Sequence, residues 1–282
     1  MIGLVTDSTS QIPAELCARY DVEVVAIPVM VDGRSYLEGV DLDADGFYDL
    51  FASGTIPAVS TSQPSPGQFV AAYRRLAAAG ADEILSVHVG ESLSGTLNSA
   101  RIARDEVDIP VRLVDSNTVS FGITCCLWEA AEAIAGGAGM EAAAVIAEST
   151  AARVRSVFII QALDFVLKGG RGAGCDLRLS DDVPVLKTTG PHISQTATGR
   201  GVEELCDLMA AEMHADGAPI RAAVCLADVD AKPFADGLEE RLADRTDVVD
   251  LVRYRVGPSV GVHTGPGTAG GFWYPIDRQG AR

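Results

Sequence analysis

The chain has 282 residues, of which 48% are apolar, and its formal net charge is −17 at pH 7. This length and apolar content can supply the core of one large or two medium domains. The strong negative charge argues against binding to nucleic acid, which requires clustered cations, and against unaided binding to an anionic membrane. The N-terminus lacks a basic region and a long apolar run, so we expect a cytoplasmic protein without stable membrane insertion.

The first half of the chain alternates between strand-like and helix-like patterns. Short apolar runs rich in β-branched residues predict strands at residues 2–6, 24–31, 83–89 and 111–115. Helical patterns predict helices at 69–79 and 96–106 and an alanine-rich pair within 123–154. Because strands that alternate with helices form parallel sheets, we expect an α/β domain over residues 1–155, with helices on both faces of a parallel sheet.

After about residue 155 the pattern contains more strands per helix. The strand-like segments are RSVFIIQAL, VPVLKTTG, HISQTAT, RAAVCLAD and VVDLVRYRVG. This change predicts a second, mixed α/β domain over residues 156–282.

Hydroxyl residues gather where the predicted strands of the first half end. They occur within 6–9, 92–96 and 115–118, and a further group at 60–65 precedes a helix. The carboxyl ends of parallel strands lie along one edge, where open α/β folds bind ligands, so we expect these loops to converge on one crevice. Helix capping explains one such residue in each loop, but not three.

One of these loops leaves a catalytic alternative open. Residues 90–94 read GESLS and come within one residue of the GxSxG nucleophile elbow, with His263 downstream. The alternative function is therefore a serine esterase or acyltransferase that uses Ser92 or Ser94 with His263. Ser94 stands where the motif requires its last glycine, which argues against this alternative.

The remaining motifs indicate no metal or cofactor. Residues 41–46 match half of a calcium-binding EF-hand loop, but Ala52 occupies the position of the bidentate glutamate, so an acidic helix cap is expected. Residues 265–270 fit GxGxxG without room for the helix, strand and acidic residue of a dinucleotide fold, so we expect a turn. The six cysteines and four histidines lack metal-binding spacing, and buried thiols are expected.

Positive charge concentrates in one part of this acidic chain. A solvated basic face is one interpretation, and an anion site or a docking patch for a partner protein is the other. The residues are Arg153, Arg155, Lys168, Arg171 and Arg178.

Six short motifs occur together and in order along the chain. They are VTDST at 5–9, TSQPS at 61–65, LSGT at 93–96, VDS at 114–116, LKGGR at 167–171 and VHTGPG at 262–267. This set resembles the DegV family of bacterial fatty-acid-binding proteins over essentially the whole chain. The resemblance implies a two-domain fold in which a parallel, three-layer α/β domain and a smaller mixed-sheet α/β domain hold one long-chain fatty acid. It also implies a carrier, not a catalyst, that presents the acid to a separate ATP-dependent fatty acid kinase for phospholipid synthesis.

The resemblance also implies the residues of the site. Thr61 and Ser94 correspond to the hydroxyls that bind the carboxylate, and His263 and Arg171 correspond to residues near the head group. The full set implied for the fatty acid is Thr61, Ser62, Ser94, Gly95, Arg171, His263 and Thr264.

The apolar tail requires a tunnel, and residues of the alanine-rich helices are candidates for its lining. Ordinary core packing is the alternative for each of them. The candidates are Ile123, Leu127 and Trp128.

Overall fold

The computed structural model describes residues 1–52, 54, 56–162, 182–189 and 192–276. Contacts between residues divide the chain into two units. The first unit comprises Met1–Asp43 and Pro57–Ala152, and the second comprises Ala44–Ile56 and Arg153–Arg282.

The first unit contains a parallel sheet and a small antiparallel sheet. The strands of the parallel sheet are β1 (Ile2–Asp7), β2 (Val22–Val25), β6 (Glu83–His88) and β7 (Val111–Asp115), in the order β2-β1-β6-β7. The antiparallel sheet consists of β3 (Pro28–Val31), β4 (Arg34–Leu37) and β5 (Val59–Thr61), in the order β4-β3-β5.

Helices cover both faces of the parallel sheet. They are α1 (Ala14–Arg19), α3 (Pro66–Ala78), α4 (Thr96–Arg104), α5 (Phe121–Ala135) and α6 (Met140–Arg153). Successive side chains of a strand point to opposite faces. Leu4 and Leu85 accordingly pack with α5 and α6, whereas Val5 and Ile84 pack with α3 and α4. The predicted parallel sheet with helices on both faces is confirmed.

The apolar run at residues 24–31 forms two strands instead of the predicted one. Between β2 and β3 the chain leaves the parallel sheet and enters the antiparallel one. Side-chain and backbone bonds hold this crossing, because Ile27 N–H donates to Ser8 Oγ at 2.9 Å and Ile27 C=O accepts from Glu38 N–H at 3.0 Å. The continuous apolar pattern at residues 24–31 does not indicate that the chain passes from one sheet to the other within it.

The second unit contains a mixed sheet, as predicted. Its strands are β8 (Arg155–Ile159), β9 (Val183–Thr189), β10 (His192–Gly199), β11 (Ile220–Leu226), β12 (Val248–Arg255) and β13 (Ala269–Pro275), in the order β10-β9-β8-β13-β11-β12. Only β11 and β12 pair in parallel among these described strands. The helices of this unit are α2 (Ala44–Asp49), α7 (Gly201–Glu212), α8 (Lys232–Ala243) and α9 (Pro258–Thr264).

The GxGxxG segment is a turn only in its first half. Gly265 and Gly267 have φ values of 73° and 74°, which favour glycine. Gly270 lies inside β13, where a Cβ atom would stand 2.2 Å from the carbonyl oxygen of Val157. The pattern missed this central strand, because glycine is unfavourable in strands unless another backbone approaches closely.

Other motifs take structural roles in the described residues. Asp45 lies in the first turn of α2, where an acidic side chain is favourable. Within the described ranges, no group of three or more His, Cys, Asp and Glu side chains is placed to hold a metal. The predicted buried thiols are confirmed for Cys125, Cys126, Cys206 and Cys225. Cys17 is only half-buried, and Cys175 lies outside the described residues. Across the same described part of the chain, no helix has the length and apolarity needed to cross a membrane.

Candidate functional site

The hydroxyl-rich loops of the first unit follow the carboxyl ends of its parallel strands. The loops after β6 and β7 are in direct contact at Gly90, whose N–H donates to Thr118 C=O at 2.9 Å. A Cβ atom at Gly90 would stand 3.2 Å from the Asn117 backbone. Glycine therefore allows the two loops to pack against each other at this edge of the sheet.

Ser94 lies two residues before the first residue of α4, Thr96, and its hydroxyl contacts that residue. Its Oγ is 2.8 Å from Thr96 Oγ1 and accepts from Thr96 N–H at 3.3 Å. Ser94 N–H donates to the carbonyl of Gly90 at 3.2 Å, which holds the loop in place. A hydroxyl has one proton and two lone pairs, so Ser94 can accept both bonds from Thr96 and still donate its own proton. This geometry suits an anion at the half-buried Ser94.

The loop after β5 lies against the Ser94 turn. Thr61 is the last residue of β5, and Ser62 N–H donates to Pro28 C=O at 3.1 Å. A Cβ atom at Gly95 would stand 3.0–3.1 Å from three atoms of the Gln63 side-chain amide. The structure thus brings together two loops that are about thirty residues apart in sequence, and Gln63, which the sequence patterns did not single out, makes the contact.

Several other hydroxyl and acidic residues near this edge are used as caps. Ser65 begins α3 in a capping box, in which its N–H donates to Gln68 Oε1 at 2.9 Å. Asp115 accepts from Asn117 N–H at 2.8 Å and from Glu91 N–H at 3.2 Å. Ser65 and Asp115 therefore serve the N-terminus of α3 and the turn after β7.

Two predicted site residues lie in the second unit, at the end of α9. His263 is half-buried. The hydroxyl of Thr264 donates to Val260 C=O at 3.4 Å, a long bond within its own helix. Gly261 places α9 directly against α2, because a Cβ atom there would stand 2.7 Å from Tyr48 Oη and 2.8 Å from Phe47 Cε1.

The cluster of positive charge is only partly described. Arg153 donates to Pro275 C=O at 3.1 Å and Arg155 donates to Val154 C=O at 2.9 Å, so both guanidinium groups bind backbone carbonyls. Lys168, Arg171 and Arg178 lie outside the described residues. The role of Arg171 stays a prediction.

The catalytic alternative gains no support from the contacts of the first unit. The hydroxyl of Ser94 is bonded to Thr96, which cannot act as a general base, and Ser92 is exposed. Ser86 does have a histidine and a carboxylate in line, since its Oγ is 2.6 Å from His88 Nε2 and His88 Nδ1 is 2.9 Å from Asp7 Oδ2. All three side chains are fully buried, so no substrate reaches this serine.

The three tunnel candidates are buried in α5. Ile123 and Leu127 belong to the core that includes Leu85 and Val87 of β6, and Trp128 is 6% exposed. These contacts are those of ordinary core packing, and a tunnel lined by these residues stays a prediction.

Comparison with known proteins covers nearly the whole chain. The family model described as "Uncharacterised protein, DegV family" matches residues 1–276. A DegV domain-containing protein of Streptomyces coelicolor is 32% identical over 276 residues, which are 95% of this chain and 96% of that protein.

Solved structures show the same fold. A fatty-acid-binding DegV family protein from Thermus thermophilus superimposes with a TM-score of 0.86 at 31% identity, over 98% of this chain and 99% of that one. DegV of Bacillus subtilis, a fatty acid binding protein, superimposes with a TM-score of 0.81 at 28% identity, with the same coverage. The match extends through both units and confirms the resemblance seen in the six motifs, and the chain therefore belongs to the DegV family.

Proposed function

We propose that this protein binds one long-chain fatty acid and holds its carboxylate with Thr61, Ser62, Ser94 and the backbone N–H groups at Gly95. The observation that carries the proposal is the full-length likeness to fatty-acid-binding proteins of Thermus thermophilus and Bacillus subtilis. The contact between Gln63 and Gly95 supports it, because Thr61 and Ser62 lie directly before Gln63 in the chain and Ser94 lies directly before Gly95.

Donors around the carboxylate are needed on physical grounds. A fatty acid is ionised at neutral pH, and burying its carboxylate without hydrogen-bond donors would cost several kcal/mol. The protein itself carries a net charge of −17, so it must supply those donors locally. Hydroxyls beside the N-terminus of α4 meet this requirement, since bonds to a charged acceptor are the strong ones. On the family resemblance, we propose that His263, Thr264 and Arg171 also contribute to binding the head group.

The alkyl tail would provide most of the binding free energy. At ~0.8 kcal/mol per buried methylene, a chain of about sixteen carbons offers on the order of 10 kcal/mol, from which ordering costs are subtracted. Dissociation constants below the micromolar range are therefore expected. Binding of this kind requires neither a cofactor nor an activated nucleophile, so we propose a carrier that does not itself catalyse a reaction.

The test begins with the protein purified under native conditions and extracted with organic solvent, so that mass spectrometry identifies any bound acid. Calorimetric titration of the delipidated protein with palmitate then gives the affinity. Ser94→Ala and Thr61→Ala each remove one donor, and loss of about 1–3 kcal/mol corresponds to a rise of roughly 5- to 150-fold in Kd. Ser92→Ala is the matched control, because Ser92 is exposed in the same loop and should leave Kd unchanged.

Two results would contradict the carrier proposal. One is an unchanged Kd in both Ser94→Ala and Thr61→Ala. The other is turnover of a fluorogenic ester that disappears in Ser94→Ala and in His263→Ala, which would favour the esterase alternative.

We further propose that the loaded protein presents its fatty acid, in the cytoplasm, to a separate ATP-dependent fatty acid kinase. Docking through the positive cluster predicts that Arg171→Ala slows acyl-phosphate formation several-fold at saturating fatty acid, while Kd for palmitate changes less. Arg74→Ala is the control, because it removes the same charge from an exposed position of α3. Equal rates for Arg171→Ala and the wild type would argue against this docking role.

A further inference from the structure

Four fully buried polar side chains form one hydrogen-bonded chain through the first unit. The hydroxyl of Tyr73 in α3 is 3.1 Å from Ser86 Oγ, which is 2.6 Å from His88 Nε2. His88 Nδ1 is in turn 2.9 Å from Asp7 Oδ2 at the end of β1. The proposed function does not use these four side chains. Burying them costs free energy unless all of them are paired.

The chemistry of its two ends gives the chain a direction. Burial raises the pKa of Tyr73 to about 12, so the phenol keeps its proton and can donate it to Ser86. A carboxylate at the other end accepts. One set of bonds that satisfies every group runs from the Tyr73 hydroxyl to Ser86, from the Ser86 hydroxyl to His88 Nε2, and from His88 Nδ1–H to Asp7 Oδ2.

Asp7 also binds the backbone at the start of two hydroxyl-rich loops. Its Oδ1 accepts from Thr9 N–H at 3.0 Å, and its Oδ2 accepts from Val89 N–H at 3.2 Å. Val89 directly follows β6 and begins the loop that carries Ser94. The paired residues of β1 and β6 end at Thr6 and Val87, so the carboxylate holds the chain beyond the point where the strand ladder stops.

A short path of bonds connects this carboxylate to Ser94. Asp7 positions Val89, and the next residue, Gly90, accepts from Leu93 N–H at 2.9 Å and from Ser94 N–H at 3.2 Å. Because the loop between Gly90 and Ser94 closes on the Gly90 carbonyl, a displacement of Val89 and Gly90 would also displace the Ser94 hydroxyl.

We propose that Asp7, oriented by His88, is a positioning residue for the Ser94 loop. Asp7 acts through Val89 and Gly90 and does not itself contact the ligand. The effect on fatty-acid affinity rests on the proposed function, whereas the effect on the loop of the ligand-free protein does not.

The test compares Asp7→Asn with Ser86→Ala. Asparagine has the size of aspartate, but its NH₂ group cannot accept. In one amide orientation the NH₂ faces His88 Nδ1 and Val89 N–H, and in the other it faces Thr9 N–H, so at least one N–H that Asp7 binds loses its acceptor. Ser86→Ala breaks the same buried chain on the other side of His88 and leaves the bonds of Asp7 to Thr9 and Val89 in place. Urea denaturation measures the loss of global stability in each variant, so that the loop can be compared at known stability.

Amide hydrogen exchange of the ligand-free protein reports on the loop. We expect exchange at Leu93 and Ser94 to become about tenfold faster in Asp7→Asn and to stay at the wild-type rate in Ser86→Ala. Titration with palmitate should show a Kd about tenfold higher in Asp7→Asn and a change of less than about twofold in Ser86→Ala.

Loop exchange in the ligand-free protein tests the positioning role of Asp7, whereas palmitate binding tests the proposed function. Equal exchange at Ser94 in the two variants would overturn the positioning role and leave a purely structural network. Faster exchange in Asp7→Asn, in a protein that binds no palmitate even as the wild type, would support the positioning role and contradict the proposed function. If Asp7→Asn does not fold, His88→Leu removes the donor that orients Asp7 and should speed exchange at Ser94 several-fold, and an unchanged rate there would overturn the inference.

Discussion

Hydroxyl residues in the first unit differ in what their side chains already bind. The hydroxyl of Ser116 is 3.4 Å from Thr118 N–H, so this serine closes its own turn, and Ser65 belongs to the capping box of α3. Ser94 is bonded to a second hydroxyl, that of Thr96, and can still donate its own proton when Thr96 is the donor of that bond. At the scale of single residues, sequence motifs identified the loops that are rich in serine and threonine, but whether a hydroxyl caps a helix or turn depends on the partners that folding brings to it.

Tyr73 predicts a specific loss of stability in alkaline solution. Burial raises its pKa to about 12 in the folded protein, above the ordinary tyrosine value of 10.0. A group whose folded pKa is raised contributes stability that is complete below the unfolded pKa and is lost as the pH rises toward the folded pKa. The free energy of unfolding should therefore fall between about pH 10 and pH 12, and fall less steeply in Tyr73→Phe.

Urea denaturation at several pH values in this range measures the slope. Some slope should persist in Tyr73→Phe, because the pKa of Tyr20 is also raised to about 12, by burial and by its hydrogen bond to Glu132. Identical slopes in the variant and the wild type would show that Tyr73 titrates as an ordinary exposed tyrosine.

Helix α9 illustrates what close packing between elements requires. The helix lies against α2 at Gly261, and the space for a side chain there is filled by the rings of Phe47 and Tyr48. This contact joins a segment near residue 47 to one near residue 261 within the second unit. The sequence pattern did not predict that α2 packs against α9, or that both belong to the second unit. A glycine in a short helix gives the same sequence signal whether or not an aromatic ring packs against it.

Gly261→Ala should destabilise the second unit by about 1–3 kcal/mol, because the new methyl group cannot fit without moving two buried rings. Gly67→Ala is the matched control. Gly67 lies in the first turn of α3, and a Cβ atom there would have only Ser65 Oγ nearby, at 3.9 Å. Alanine at that position should be neutral or stabilising by up to about 1 kcal/mol. Urea denaturation of both variants measures the difference, and equal effects would contradict the packing at Gly261.

At the scale of the whole molecule, the excess of acidic residues shapes the surface. Several arginines bind two carboxylates at once, as Arg112 binds Glu141 and Glu148. Arg241 does the same with Glu203 and Asp207. The chain has 39 acidic residues and 22 Lys and Arg residues, which gives a net charge of −17. The mutual repulsion of the excess carboxylates opposes the compact state.

This repulsion predicts that salt stabilises the protein at neutral pH. Raising NaCl from about 0.01 M to about 0.3 M shortens the screening length and weakens this repulsion, so Tm should rise. Exposed ion pairs contribute little to stability, so screening them costs little. The same change near pH 4.5, where the sequence pI lies, should leave Tm unchanged or lower it. A fall in Tm with salt at neutral pH would mean that the ion pairs outweigh the repulsion.

Sequence alone determined the alternation of strands and helices that produces the parallel sheet, the change to a mixed sheet after residue 155, and the family. Those features depend on local periodicity and on short motifs, which are readable along the chain. Only the tertiary structure decided that Gln63 contacts Gly95 and that Asp7, His88, Ser86 and Tyr73 form one buried chain. These contacts join residues that are distant in sequence. Whether a polar side chain is hydrogen-bonded, or a glycine is closely packed, depends on the partner that folding brings next to it.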